Sequence, residues 1–187
     1  MRFHPAAVAL LLVLASTPAF AGSWIESADG DISGNRLSPS IVNITLGDNQ
    51  VTGTFGSGDV DYLRIDIPAG LQISAINVTS YSGTRVSFVG LQAGTTFSVS
   101  PNEASPEALL GYFLFGKAHL DTNILPDIAD GSGAIGFTPP LNPGSFTLWL
   151  QETGSRTGYG LNLVAVPAPA SVALLGLGVL TLGRRRR

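Results

Sequence analysis

Much of this chain is written in short alternations of apolar and polar residues, cut by turn residues. Val60 to Ile67 is the clearest case. Leu63, Ile65 and Ile67 fall on one face and Tyr62, Arg64 and Asp66 on the other, the period of two expected of a half-buried strand. Ile41 to Leu46 and Val51 to Phe55 come before it, with Gly47-Asp48-Asn49 as the turn between them and Gly56-Ser57-Gly58-Asp59 as the turn after. Pro68-Ala69-Gly70 leads into Leu71 to Thr79, where Ile73, Ala75 and Asn77 alternate with Gln72, Ser74 and Ile76. Arg85 to Leu91 and Thr95 to Val99 read as two further strands. Ser145 to Gln151, with Phe146, Leu148 and Leu150 on one face, and Gly158 to Val166 read as the last two. Strands at roughly 8–12-residue spacing, with turn signals between them, predict an all-β fold: an antiparallel β-sandwich of jelly-roll-like type.

The stretch from Ser100 to Gly144 breaks the rhythm. It holds six prolines (Pro101, Pro106, Pro126, Pro139, Pro140 and Pro143), an apolar run from Leu109 to Phe115, and the Gly-rich Asp130-Gly131-Ser132-Gly133. It reads as a long loop excursion with one apolar segment tucked onto the core. Pro106-Glu107 ahead of Ala108-Leu109-Leu110 is an acceptable start for a short helix.

The two ends follow other rules. Arg2 and His4 form a weakly basic start, Ala6 to Ala15 is apolar, and Ala19-Phe20-Ala21 has the small residues of a signal-peptidase site at Ala19 and Ala21. Residues 1–21 therefore read as a signal peptide, a signal helix too short to anchor. The domain follows over 22–165, with its excursion at about 100–144. The last segment, 166–187, has three parts. Val166-Pro167-Ala168-Pro169-Ala170 is a Pro-rich hinge, Ser171 to Gly183 is apolar, and Arg184 to Arg187 close the sequence. A helix over 170–183 rises only ~21 Å, against ~30 Å of hydrocarbon, so bilayer thinning or snorkelling arginines must cover the rest. The four arginines resist translocation and stay cytoplasmic, leaving the body on the far side of the membrane. The sandwich is thus expected between a signal helix and a C-terminal transmembrane helix.

This tail resembles the PEP-CTERM sorting signal of Gram-negative bacteria. The residues that match are Val166, Pro167, Pro169, Ala170 and Ser171, then Leu174-Leu175-Gly176-Leu177-Gly178, then Arg184, Arg185, Arg186 and Arg187. Ala168 stands where the family most often has Glu. The resemblance implies processing near Pro167 to Ala170 by an exosortase, a membrane cysteine protease or transpeptidase. The body resembles the bacterial pre-peptidase C-terminal type of β-sandwich. The match lies in Val51 to Phe55, Gly58 to Gly70, Asn142 to Glu152 and Gly158 to Leu163. It implies a non-catalytic accessory domain of the kind linked to secretion, adhesion or polymer binding.

Charge and composition narrow the function further. The body has about 145 residues, enough for one domain with a hydrophobic core. It keeps Arg36, Arg64, Arg85, Lys117 and Arg156 against all 13 acidic residues, a surplus of eight negative charges. Such a body is a poor partner for nucleic acid. There is no cysteine, which excludes disulfides, thiolate metal sites and thiol catalysis. Once the signal peptide is gone, His119 is the remaining histidine, and no Gly-x-Ser-x-Gly elbow accompanies it. The chain therefore reads as no enzyme and as needing no cofactor.

One cluster leaves calcium open. Asp29, Asp31 and Asn35 place oxygens at alternate positions around Gly30 and Gly34, and Asp59 and Asp61 join them if the strands approach. The other reading is an Asx-rich turn with solvated carboxylates. Trp24, Trp149, Tyr81, Tyr112 and Tyr159 are candidates for stacking on sugars, with Trp149 either outward-facing or packed beneath the excursion. The expected function is that of a non-enzymatic exported surface or extracellular-matrix protein. It would be handled by signal peptidase and an exosortase, anchored transiently in the inner membrane, then left at the cell surface or outside the cell, and linked to exopolysaccharide or biofilm. The alternative is a secreted carbohydrate- or calcium-binding module.

Overall fold

The computed structural model describes residues 22–169. The expected signal peptide, the transmembrane segment and Arg184 to Arg187 lie outside the described residues. Two sheets face each other. The first contains β1 (Trp24–Ile25), β3 (Gly47–Phe55), β9 (Thr157–Pro167) and β5 (Leu71–Tyr81), in that spatial order. The second contains β2 (Ser40–Asn43), β4 (Val60–Ile67), β8 (Gly144–Gln151), β6 (Ser87–Ala93) and β7 (Gly111–Phe115). The long strands pair antiparallel, as the alternation predicts, while the short edge strands β1 and β2 add parallel to β3 and β4. Among the described residues there are two short α-helices, α1 (Glu26–Asp29) and α2 (Leu125–Ala129).

The core forms where the inner faces meet. Val51, Phe55, Ile73, Ile76, Val78, Leu161, Leu163 and Ala165 project from the first sheet, and Leu63, Ile65, Ile67, Val89, Leu91, Leu148 and Leu150 from the second; all are buried. In β4 the alternation read from the sequence holds: Leu63, Ile65 and Ile67 face inward, while Tyr62 packs on the outer side. In β5 it does not. Register shifts after Ile73 and after Val78 move the strand's phase, so Ile73 and Ile76 are both buried although an unbroken strand would put them on opposite faces.

Other local readings changed for identifiable reasons. The expected turn at residues 47–49 lies earlier, because the fully buried Asn49 folds the chain back on itself. Its Oδ1 accepts from the Thr45 amide at 2.9 Å, and its Nδ2 donates to the carbonyls of Thr45 at 2.9 Å and Leu163 at 3.0 Å. Strand β2 therefore ends at Asn43 and β3 already begins at Gly47. Thr95 to Val99 is not a strand. It docks on the loop around Arg36, whose carbonyl accepts from the Phe97 amide at 2.8 Å and whose Nη1 donates to the carbonyls of Phe97 and Ser98 at 3.0 and 2.8 Å. The excursion opens with a single 3-10 turn at Pro106–Ala108. Its apolar run then supplies β7, which pairs with β6 at the sheet edge. Residues 120–124 lie along β5, with the Val78 amide donating to Thr122 and the Ile124 amide to Ile76.

The excursion also builds a second apolar layer on the outer face of the five-stranded sheet, formed by Tyr62, Phe97, Leu109 and Trp149. Trp149 is only 6% exposed and meets Phe88 and Phe97 at ring-centroid distances of 4.6 and 5.5 Å. Gly90, paired with Trp149 across the strands, leaves room for the Phe88 ring that packs on the indole: a Cβ there would lie 2.8 Å from that ring. Trp149 thus packs beneath the excursion. Trp149→Ala should lower stability by roughly 3–5 kcal/mol, the usual loss for a large buried aromatic, read from the midpoint of urea unfolding at constant m-value. A change near zero would mean an outward-facing ring.

Candidate functional site

One end of the sandwich is closed by the segment running from β1 through α1 to Ile32, whose side chain is buried in the core. Trp24 and Ile25 pair with Val51 and Thr52, which brings Glu26 beside Thr54. Thr54 Oγ1 donates to Glu26 Oε2 at 2.8 Å and accepts from Arg156 Nη2 at 2.7 Å, so one hydroxyl links a carboxylate to a guanidinium. Glu26, Asp31, Asp59, Thr54 and Arg156 line an open pocket of about 1000 Å³.

Asp61 sits behind this pocket. It lies on the inward face of β4 with Leu63 and Ile65, is fully buried, and receives a 2.8 Å hydrogen bond from Tyr159 Oη on its Oδ2. Its Oδ1 has no hydrogen-bond partner, and neither does Glu26 Oε1. Tyr159 lies over Gly53, where a Cβ would come within 2.8 Å of its hydroxyl, and stacks on Phe55 at 4.5 Å. Burial pushes the Asp61 carboxyl up to about 8, with the charges of Asp59, Glu26 and Asp31 adding to the effect and the Tyr159 bond opposing it. At neutral pH Asp61 therefore keeps its proton, which lowers the cost of burying it. Burial also raises Glu26, helped by the adjacent Asp31 carboxyl, and raises Asp59. The Tyr159 hydroxyl is held well above its ordinary value by burial and by Asp61.

The structure therefore brings Asp31, Asp59 and Asp61 together and joins Glu26 to them. Asp29 and Asn35 do not line that pocket: Asp29 Oδ2 accepts from the Ile25 amide at 2.7 Å and Asn35 Oδ1 from the Leu37 amide at 3.0 Å, so both stabilise local turns. Among the described residues no group of three or more His, Cys, Asp or Glu side chains is placed so that it could hold a metal ion. The sequence offered no signal for Glu26, Thr54 or Arg156, because only the pairing of β1 with β3 and of β3 with β9 sets them side by side. The candidate sugar-stacking rings are dispersed. Tyr81, Tyr159 and Trp149 are buried, Trp24 Nε1 donates to the Gly30 carbonyl at 2.9 Å, and Tyr112 Oη donates to the Ser132 carbonyl at 2.9 Å.

The second feature is the end of β9. Ala165 pairs with Gly47 on one side and Ile73 on the other, Val166 pairs with Gln72, and Pro167 with Leu71. The Ala168 amide then donates to the Gly70 carbonyl at 2.8 Å. Pro169 is the last described residue; Ala170 and Arg184 to Arg187 lie beyond it, as Ala19 and Ala21 lie before the first. Among the described residues no helix is long and apolar enough to cross a membrane.

The acidic group sets a pH dependence. The folded protein holds a proton on Asp61 that the unfolded chain gives up above the ordinary value of 3.8, so stability falls as pH rises from there to about 8. Asp61→Asn keeps an acceptor for Tyr159 and carries no charge. Its unfolding midpoint should vary less across that window than the parent's and exceed it at the alkaline end, as measured by thermal melts in a buffer series.

The family profile described as the PEP-CTERM protein-sorting motif matches residues 165–187. No curated protein and no solved structure matches the chain. The match begins inside β9 and takes in the proline hinge, the apolar run and the terminal arginines read from the sequence. This β-sandwich protein therefore carries a PEP-CTERM sorting motif, the signal recognised by exosortase on exported proteins.

Proposed function

We propose that this chain is a non-enzymatic protein of the cell surface or extracellular matrix, linked to exopolysaccharide or biofilm. Signal peptidase would cut after Ala21. The segment 170–183 would hold the body at the inner membrane until exosortase acts, and the body would then be attached to the surface or released. The observation that carries this reading is the direct junction between a well-packed sandwich and a sorting motif: strand β9 runs into the motif with no linker between them. A non-catalytic role is supported by the surroundings of His119. Its Nδ1 accepts from the Gly116 amide at 3.1 Å and its ring packs edge-on against Phe113 at 5.0 Å, so the imidazole is engaged in holding its own turn.

A second reading, a secreted carbohydrate-binding module, is favoured by one groove. Phe88, Tyr112, Leu109, Pro101 and Pro106 line an open space of about 230 Å³ above Trp149, and Phe88 and Tyr112 stack with ring centroids 6.0 Å apart. Flat apolar rings of this kind suit the C–H faces of sugars. Calcium, the other alternative, is tested by calorimetry with Ca²⁺ on the purified body.

Two measurements check the main reading. In cells with an exosortase the chain should convert to a shorter form, and Arg184 to Arg187 replaced by Gln should stop that conversion. The purified body should also sediment with exopolysaccharide isolated from the same cells. A body that stays in the supernatant removes the matrix role. Binding on a glycan array that is lost in Tyr112→Ala would replace it with the module reading.

A further inference from the structure

The sorting motif and the sandwich share residues. Ala165, Val166 and Pro167 are the end of β9, which lies inside its sheet between β3 and β5. Ala165 is 1% exposed and paired on both sides. Val166 and Pro167 are paired with β5, and the Ala168 amide is bonded to Gly70. Peptidases commonly take the residues before the scissile bond as an extended segment whose backbone groups bond to the enzyme. Backbone groups already bonded within a sheet are not available for that.

We propose that the folded body clamps the first four residues of its own sorting motif, so that exosortase processing requires residues 166–168 to peel away from β5. This rests on the exosortase reading of the tail. The clamp is built to open at one end: past Ala165 the strand keeps only its β5 neighbour, and Pro167 has no amide to donate. Local opening at a strand end needs far less free energy than global unfolding. The body therefore stays folded while the motif is handed over.

The pair Gln72 and Val166 offers a direct test. They are Cα partners in an antiparallel ladder, a spacing of ~4.5–5.5 Å that a disulfide can span, and the chain has no other cysteine. The full-length double variant Gln72→Cys with Val166→Cys, exported into an oxidising compartment, should form the bond and accumulate unprocessed in exosortase-containing cells. Reductant added to those cells should restore the shorter form. Each single variant should be processed like the parent. In purified full-length protein, the Ala168 amide should exchange with deuterium more slowly than in a free peptide of the same sequence.

Normal processing of the cross-linked chain would overturn the clamp. So would blocked processing in a single-cysteine variant, failure of the bond to form, or free-peptide exchange at Ala168. If the parent chain itself is never shortened, the exosortase reading fails first, and the parent sample shows that directly.

Discussion

A strand paired along both edges has no backbone group left to offer, and β9 is in that position over most of its length. It joins β3 and β5 into one sheet, and its Leu161, Leu163 and Ala165 lie in the core. The buried Asn49 reaches it through the Leu163 carbonyl, and Tyr159 carries its influence across to Asp61 on the opposite sheet. The two sheets, the closed end of the sandwich and the start of the sorting motif all depend on this one element being in place. A terminal strand in an interior position also explains how a short tail can be held at a defined place on the body.

The acidic end shows what burial does to charge. Four carboxyl groups lie near one another, and the deepest, Asp61, keeps its proton because an apolar surrounding disfavours the ion. Arg156 answers part of the remaining charge through Thr54 rather than by direct contact. The resulting pocket is open and lined by charged and hydroxyl-bearing residues, while Tyr159, which bonds to Asp61, stacks on Phe55 in the core. The body, with its eight surplus negative charges, thus concentrates part of that surplus at one end of the sandwich.

The outer face of the five-stranded sheet shows a different solution. Aromatic residues on the outer positions of β4, β6 and β8 would otherwise face water. Phe97, from the segment docked on Arg36, and Leu109, from the excursion, cover them and leave Phe88 and Tyr112 half-buried at the rim. The long insertion is therefore a third layer of the domain, with its own strand in the sheet, and the groove lined by Phe88 and Tyr112 lies at its edge.

Local pattern was enough to read the strict alternations, such as Leu63, Ile65 and Ile67, because a half-buried strand imposes its period on neighbouring residues. It was also enough for the tail, where the hinge, apolar run and arginines are contiguous and need no partner to be recognised. It was not enough for β5, whose bulges follow from fitting β9, nor for Asn49, whose bonds reach back to Thr45 and across to Leu163. Phe97 looked like a strand residue but is placed by Arg36, sixty-one positions away in the chain. Within the acidic group, Asp59 and Asp61 were legible as a pair of nearby carboxylates. Glu26 and Arg156 joined them only through the pairing of β1 with β3 and of β3 with β9. Contiguous signals such as the strand period and the sorting tail were set by the amino-acid order. Which distant side chains share a pocket, and which backbone groups of the motif are already bonded, was decided by strand pairing, because hydrogen-bonded neighbours in a sheet can come from any part of the chain.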